Sequence, residues 1–246
     1  MDRGLYVAMT GAKQIMQAQA VNNNNIANVN TIGFRADAVS FTSEPIYGPG
    51  YATRVNAVAG DAGVDFSSGV LESTGRSLDV AVNGDGFIAV QGADGKEAYT
   101  REGDLRITAD GAIVTATGLP VLSETGPLQV PPATQTTIGS DGTVSVVPLG
   151  LSAAAQSQVD RIKLVKPSVK SLQKGADGLF HLKSGGNAPT DETVTLSSGA
   201  LETSNVNSAL SLVNMIELQR LYEFQIKSLN STDTNEQSAE RLMLTS

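Results

Sequence analysis

The sequence predicts an α+β protein, with an all-β central domain and long N- and C-terminal helices that pair as a coiled-coil-like domain. Two observations support this class. Small and apolar residues recur at helical spacing at both ends of the chain, whereas the middle alternates apolar residues between turn dipeptides. The predicted domains are a helical one (1–34 plus 205–246), an extended connector (35–75 plus 191–204) and a β domain (76–190).

The first 34 residues have the pattern of an amphipathic helix. Two rows repeat at intervals of seven, as in a coiled-coil seam: Leu5, Ala12, Gln19 and Ile26 form one row, and Ala8, Ile15, Asn22 and Val29 form the other. Gly33 provides a helix stop and is followed by the apolar Phe34. The alternative interpretation is an ordinary amphipathic helix that lies on its own domain.

Four consecutive asparagines, residues 22–25, destabilise this helix. Each Asn costs roughly 0.6 kcal/mol relative to Ala in a helix interior, so the run costs about 2.5 kcal/mol. One interpretation is that the amides hydrogen-bond across a helix seam and fix its register. The other is a solvated loop or a frayed helix end. Because of this cost, a helix that contains the run needs packing contacts from outside the helix.

The helical period is lost in residues 35–75, where Pro45, Gly48, Pro49, Gly50 and Gly60 are typical of an extended connector. A period of two then begins with Leu78, Val80 and Val82. Turn dipeptides separate short β-rich runs: Asn83-Gly84, Asp94-Gly95, Asp110-Gly111, Asp141-Gly142 and Asp177-Gly178. The middle of the chain is therefore predicted to be all-β with several hairpins.

A second helix is predicted from Asn205, a candidate N-cap before Val206. One of its faces follows 3/4 spacing and contains Leu212, Met215, Gln219, Tyr222, Ile226 and Leu229. Gly and Pro are absent from residues 206–244, so this helix would be a rod of ~60 Å. A β domain of ~110 residues has a radius of gyration of only ~13 Å. Much of the helix surface must therefore contact something else.

Composition excludes several functional classes. The chain has 246 residues, a net charge of −8, no Cys and one His. These numbers argue against a nucleic-acid partner and exclude disulfides, a catalytic thiol and Cys-ligated or His-cluster metal sites. The start of the chain lacks the apolar core of a secretory signal peptide, and no apolar run approaches the ~20 residues that span a membrane.

The sequence predicts no catalytic residue, cofactor or metal. Residues 83–86 (NGDG) resemble a calcium loop, but Ala81 and Gly92 occupy positions where an EF-hand has acidic ligands. The glycines of residues 84–89 fit a dinucleotide fingerprint, but a strand and not a helix follows them. His181 lies in a β-like run far from any nucleophile motif, and is interpreted as an ordinary strand residue.

Three parts of the chain resemble bacterial flagellar axial proteins of the basal-body rod. The N-terminal motif is NNIANVNTIGFR, residues 24–35. The central motif is TGRSLDVAVNGDGF, residues 74–87, followed by YTREG at 99–103. The C-terminal motif is GALETSNVN, residues 199–207, followed by Met215-Ile216 and QRLYE at 219–223. The opening residues are most similar to proximal-rod members, with distal-rod or hook-type members as the alternative.

This resemblance implies a structural subunit of the rod within the periplasmic space, without enzymatic activity. It implies self-assembly through the terminal helices into a torque-transmitting drive shaft, contact with other rod proteins, and export by the flagellar type III apparatus without membrane insertion. The residues expected at the assembly interface are Leu5, Ala8, Ala12, Ile15, Asn22, Asn25, Ile26, Asn28, Val29, Gly33, Phe34, Asn205, Val206, Leu212, Met215, Ile216, Gln219, Arg220, Tyr222, Glu223, Ile226 and Leu229. The competing class is a secreted β module that binds or hydrolyses glycans.

Overall fold

A computed structural model describes residues 4–45, 55–150 and 156–244 of the chain. Within these ranges it contains two α-helices, α1 (Gly4–Ala27) and α2 (Ser208–Leu244), and a short 3-10 helix at Val169–Ser171. The strands are β1 (Asp37–Pro45), β2 (Val55–Val64), β3 (Leu71–Ser73), β4 (Val80–Asn83), β5 (Phe87–Gln91), β6 (Glu97–Thr100), β7 (Leu105–Ile107), β8 (Ile113–Thr115), β9 (Ala133–Ile138), β10 (Thr143–Pro148), β11 (Ser157–Arg161), β12 (Leu164–Val165), β13 (Leu172–Lys174), β14 (Phe180–Leu182), β15 (Thr195–Ser198) and β16 (Ala200–Glu202).

The chain divides into two compact units. Unit 1 comprises 1–29, 36–65 and 206–246, and therefore contains α1, β1, β2 and α2. Unit 2 comprises 30–35 and 66–205, and contains the remaining strands. Neither described helix is long and apolar enough to cross a membrane.

The prediction that two long terminal helices pair as a coiled-coil-like domain is wrong. The two helices do pack together, but α1 has 24 residues and α2 has 37, so α1 cannot accompany α2 over its full length. The helix α1 also packs against β1 and β2, which a two-helix coiled coil does not contain. Its buried residues are small or polar, among them Ala8, Ala12 and Asn22, in place of the large apolar residues that fill a coiled-coil seam. Unit 1 is a helix pair with a β-hairpin.

Both helices are shorter than the sequence predicts. The helix α1 ends at Ala27, because Asn28 N bonds to the carbonyls of both Asn24 and Asn25 and turns replace the next helical turn. The helix α2 begins at Ser208, and its N-cap is Asn207, whose Oδ1 accepts a hydrogen bond from Leu210 N at 3.0 Å. Asn205, the predicted cap, lies outside the helix.

Residues 37–64, which the sequence predicts as part of a connector, contain the antiparallel strands β1 and β2 of unit 1. Their register pairs Pro45 with Val55 and Asp37 with Val64, with an irregularity near Asp37. Most of β1 is exposed on both faces, so its sequence has no need of apolar alternation. This absence of a buried face explains why no strand pattern is visible. Gly48, Pro49 and Gly50, also assigned to the connector, lie outside the described residues.

Unit 2 is mostly β-strand around a core of aliphatic side chains. Its largest described sheet has the order β12-β5-β6-β14-β13, and a three-stranded sheet has the order β11-β10-β9. The remaining strands of unit 2 form two-stranded sheets: β15 with β4, β16 with β3, and β7 with β8. Fully buried core residues include Val80, Ile88, Leu105, Ile113 and Val144. Valine, isoleucine and leucine therefore form a core that contains few aromatic rings.

Three hairpins of unit 2 share one turn sequence, Gly-x-Asp-Gly, at residues 92–95, 139–142 and 175–178. In each turn the last glycine donates its N–H to the carbonyl of the first, and the first donates to the carbonyl four residues onward. The aspartate Oδ1 accepts a hydrogen bond from the amide two residues later, as Asp94 does from Lys96. The last glycine has a positive φ of 78° to 86°, which glycine adopts without strain.

Tyr99 in β6 connects the largest sheet to the loop before β15. Its hydroxyl donates to Glu97 Oε1 at 2.9 Å and accepts from Ala188 N at 2.7 Å. The Lys163 ammonium bonds to both oxygens of Glu97, at 3.0 and 2.8 Å. Burial raises the pKa of Tyr99 to about 12, because the phenolate would be formed away from water and beside a carboxylate.

Substitution of turn glycines tests the turn geometry. We expect Gly95→Ala to lower the free energy of unfolding by about 1–2 kcal/mol, because its φ is +78° but no atom lies near the added Cβ. Gly111→Ala should lower it further, because φ is +82° and the Cβ would overlap Val130 O. Urea unfolding followed by circular dichroism measures both values. Equal losses would contradict the steric account at Gly111.

The pKa of Tyr99 predicts a loss of stability at high pH. Folded Tyr99 stays protonated up to about 12, whereas an unfolded tyrosine ionises near 10. The contribution of Tyr99 to stability is therefore complete below pH 10 and is lost as the pH rises to about 12. The free energy of unfolding should fall more steeply over this window in the wild type than in Tyr99→Phe. Parallel curves for the two proteins would contradict this assignment.

Candidate assembly interface

The two helices of unit 1 contact each other through small and polar residues. Asn22 Nδ2 donates to Ser211 O at 2.9 Å, whereas Gly11 lies against the side chain of Gln225. An early residue of α1 thus meets a later part of α2, and the helices are antiparallel. A Cβ at Gly11 would lie only 2.9 Å from Gln225 Nε2, so glycine permits the close approach.

The asparagine run at the end of α1 is held by main-chain hydrogen bonds. Asn25 Nδ2 donates to Asp37 O at 2.8 Å, and Asp37 N donates to Asn25 Oδ1 at 2.9 Å. The Asn25 amide therefore binds the start of β1 as a neighbouring strand would. Asn22 and Asn25 are buried, whereas Asn23 and Asn24 are exposed. The two buried amides offset the helix cost of the run, and both of their partners lie within the same chain.

Among the described residues, contacts from elsewhere in the chain cover only one face of α2. Between residues 211 and 229, the buried and half-buried residues other than Ser228 follow a spacing of four and three: Ser211, Met215, Leu218, Tyr222, Gln225 and Leu229. The remaining sides expose large apolar residues, with Phe224 at 67%. Leu210, Val213 and Leu221 lie near Phe224 on one side, and Leu212, Ile216 and Ile226 lie on the other side. We call these residues the α2 outer surface.

The exposed side of α1 also carries large apolar residues. Tyr6 is 66% exposed, and Met9 and Met16 are more than half exposed. Lys13 is the only charged residue between positions 4 and 34. A helix whose outer side faces water normally carries many charged residues. On α2, charged residues of alternating sign lie among and between the two groups of the α2 outer surface, namely Glu217, Arg220, Glu223 and Lys227.

The predicted interface residues occupy three locations. Ala8, Ala12, Asn22 and Asn25 are buried in unit 1, and Leu5, Ile15, Ile26, Asn28, Val29, Val206, Met215, Tyr222 and Leu229 are half-buried. Leu212, Ile216, Gln219, Arg220, Glu223 and Ile226 are exposed on α2. Gly33, Phe34 and Asn205 lie in unit 2.

Sequence reasoning missed several exposed residues. These are Tyr6, Met9 and Met16 on α1, and Leu210, Val213, Leu221 and Phe224 on α2. Their positions are visible in the sequence as apolar residues outside the main 3/4 stripe. An apolar residue on a second side of a helix is the signal that identifies them.

In unit 2, residues of all three sequence motifs meet in a buried ionic cluster. Arg35 Nη2 binds Glu202 Oε1 at 2.7 Å, and Arg101 Nη1 binds Glu202 Oε2 at 2.9 Å. The side chains of Arg35, Glu202 and Arg101 are 0%, 1% and 3% exposed. Gly69 N donates a further hydrogen bond to Glu202 Oε1. We call Arg35, Arg101 and Glu202 the junction cluster.

Arg101 extends the junction cluster into the core of unit 2. Its Nη2 donates to Gly84 O, and its guanidinium lies 5.2 Å from the centre of the Phe87 ring. The Phe87 ring contacts those of Phe66 and Phe180, with centroids 6.2 and 5.4 Å away. Burial lowers the pKa of Arg101, and the Glu202 carboxylate opposes this effect.

Gly33 and Phe34 fix the loop 30–35 against the rest of unit 2. Gly33 N donates to Glu202 O at 2.8 Å, and a Cβ on Gly33 would overlap the main chain at Arg101. The Lys174 ammonium lies 4.1 Å from the centre of the Phe34 ring and donates to Arg35 O. Gly33, with a φ of +69°, is thus required both by its conformation and by the lack of space.

The arrangement in the described ranges is one of packing and not of reaction chemistry. No group of three His, Cys, Asp or Glu side chains in these ranges is placed to hold a metal ion. His181 lies in β14, half-buried, with Nε2 at 3.1 Å from Asp177 Oδ2 in the neighbouring turn. His181 therefore has the surroundings of an ordinary strand residue.

Neutralising Glu202 tests the junction cluster. We expect Glu202→Gln to lower the free energy of unfolding by about 3–5 kcal/mol, because two guanidinium groups would remain buried without a carboxylate. The control is Glu72→Gln in β3, where the side chain is exposed and a change within about 0.5 kcal/mol is expected. Denaturant unfolding compares the two. Similar small losses would show that the buried charge is not required.

Comparison with known proteins gives matches along the chain. Residues 5–35 match the family model "Flagella basal body rod protein", 81–146 match "Flagellar hook protein FlgE/F/G D1 domain", and 197–242 match "Flagellar basal body rod FlgEFG protein C-terminal". The flagellar basal-body rod protein FlgF of Escherichia coli is 39% identical over 99% of both chains.

Other relatives show the same extent of similarity. FlgF of Caulobacter vibrioides is 34% identical over 98% of both chains. The basal-body rod protein FlgG of Buchnera aphidicola from Schizaphis graminum is 34% identical over 93% of this chain and 95% of its own. The similarity therefore includes both helices and the β-rich middle. This chain belongs to the FlgF/FlgG family of flagellar basal-body rod proteins.

Proposed function

We propose that this chain, a structural subunit of the flagellar basal-body rod and not an enzyme, assembles through unit 1 with copies of itself and with other rod proteins. In this proposal the assembled subunits transmit motor torque along the rod. One observation carries it: between residues 210 and 226, large apolar side chains of α2 are exposed on both sides of the stripe that α1 covers. Exposed apolar patches of this kind mark sites of protein–protein contact.

The energetics favour several neighbours per subunit. Burial of half of a large apolar side chain contributes roughly 1 kcal/mol, so the exposed apolar residues of α1 and α2 together provide about 10 kcal/mol. Association itself costs about 4–15 kcal/mol. A single neighbour covers only one stripe of these residues and provides only part of the roughly 10 kcal/mol, which does not offset the free energy that association costs. Neighbours on several sides together provide the full amount. This balance supports a polymer in preference to a dimer.

Charge on α2 supports contact between similar helices. Glu217, Arg220, Glu223 and Lys227 alternate in sign at intervals of three and four residues. A parallel copy displaced by about one helical turn would place Glu217, Arg220 and Glu223 beside charges of opposite sign. These charges give specificity to contacts whose affinity comes from the apolar residues.

Two finer assignments belong to this proposal. The 39% identity with FlgF of Escherichia coli, compared with 34% for FlgG of Buchnera aphidicola from Schizaphis graminum, supports a proximal-rod subunit, with a distal-rod or hook-type subunit as the alternative. Export by the flagellar type III apparatus follows from the family resemblance, and the absence of Cys is compatible with it.

A charge on the α2 outer surface should block assembly without unfolding the subunit. Phe224 is 67% exposed, so Phe224→Asp should change the free energy of unfolding by no more than about 0.5 kcal/mol. In a motile host that lacks its own copy, we expect at least a tenfold loss of the chain from isolated basal bodies, because the aspartate would be buried between subunits.

The matched control is Asn235→Asp, which adds the same charge at an exposed position in the polar part of α2. It should retain both incorporation into basal bodies and swimming. Normal incorporation of Phe224→Asp would contradict the proposal that this surface is the interface.

A further inference from the structure

The chain passes between the two units four times, at 29/30, 35/36, 65/66 and 205/206. On the side of unit 2, these crossings belong to three segments: the loop 30–35, the segment that begins at 66, and the segment that ends at 205. A single crossing delivers force to one point of a domain, whereas crossings that are bound together share that force. The hydrogen bonds among the three segments therefore decide how force enters unit 2.

Each of the three segments is bonded to the other two. Arg35 connects the loop to both others, with Nη1 donating to Ser67 O at 2.7 Å and Nη2 to Glu202 Oε1 at 2.7 Å. Asn205 connects the last segment to both others, with its N donating to Phe34 O at 3.3 Å and its Nδ2 to Ser67 O at 3.1 Å.

From the crossings, the contacts continue into the β core. The carboxylate of Glu202 receives Arg35 on one oxygen and Arg101 on the other. Arg101 in turn contacts Gly84 O and the ring of Phe87 in β5, the second strand of the largest sheet. A continuous path of buried, charge-assisted contacts thus leads from the crossings to the sheet.

We propose that the junction cluster is a mechanical coupling that clamps together the unit-2 ends of the four crossings, so that load entering at any one of them is passed to the β core of unit 2. This proposal rests on the proposed function, because it requires that the subunit carries torque in the rod. Arg35 is a positioning residue in it. Its planar guanidinium binds two segments at once in a fixed geometry, which a lysine ammonium cannot reproduce.

Buried ionic groups fit this role better than a role in stability alone. Apolar residues of similar volume often stabilise a fold as well as a buried ion pair does. An ionic network adds directional bonds that specify one arrangement of the segments. Because the cluster is buried, salt does not screen it as it screens surface pairs.

The test compares Arg35→Lys with Arg106→Lys. Arg106 makes an exposed ion pair with Asp104, so the control carries the same change outside the cluster. In purified Arg35→Lys, we expect hydrogen exchange at the amides of Gly33, Gly69 and Asn205 to accelerate at least tenfold, with β5 unchanged. In cells, incorporation into basal bodies and swimming in dilute medium should equal those of the control. Swimming speed in viscous medium should fall at least twofold below it.

Other outcomes overturn the coupling. Unchanged exchange at these amides, or the same dependence of speed on viscosity in both variants, would show that Arg35 does not clamp the crossings. If Arg35→Lys does not fold, Asn205→Ala provides the same readouts, because it removes the bond to Ser67 and leaves the buried charges in place. Absence of the wild-type chain from basal bodies would instead contradict the proposed function, which separates the two failures.

Discussion

The carboxylate of Glu202 is the point on which the geometry of this subunit depends. Two arginines and a main-chain amide converge on its two oxygens in a site from which water is excluded. The three side chains come from the three regions of sequence that identify the family, so a single buried charge unites motifs that are far apart in the chain. Because the carboxylate is surrounded by positive charge, each partner fixes the position of the others. Rotation of either arginine would leave a buried charge unpaired.

The units on either side of the chain crossings use opposite strategies of stabilisation. Unit 2 has a closed aliphatic core, with Val80, Ile88 and Leu105 fully buried, and its turns satisfy their own polar groups. Unit 1 buries small side chains and amides while it leaves phenylalanine, leucine and methionine exposed. An isolated protein with the surface of unit 1 would be prone to aggregation. In the assembly that we propose, the same surface is the means of growth, since each added subunit covers apolar area on those already in place.

Local patterns in the sequence predicted the β-rich middle because each hairpin is a local event. The Asp-Gly dipeptides at 94 and 141 specify turns through a positive φ and an aspartate bond to a nearby amide, and both signals lie within a few residues. The strands β1 and β2 were not predicted; most of β1 is exposed on both faces, so its sequence shows no alternation of apolar residues. The Arg35–Glu202 pair spans 167 positions, so a single sequence cannot reveal it. On α2, the 3/4 pattern found one stripe and missed Phe224 and Leu210, since more than one face is apolar.

Unit 1 is discontinuous in sequence, and this has a consequence for the order of folding. The helix α1 ends at Ala27 and α2 begins at Ser208, so 180 residues of chain lie between the two helices. Closing a flexible loop of that length costs about 4 kcal/mol in entropy. Folding of unit 2 removes most of this cost, because it brings Asn205 N within 3.3 Å of Phe34 O. We therefore expect the β unit to act as an intramolecular template: its hairpins, which rest on local contacts, form first, and the helices then meet as neighbouring ends of a chain that is already closed.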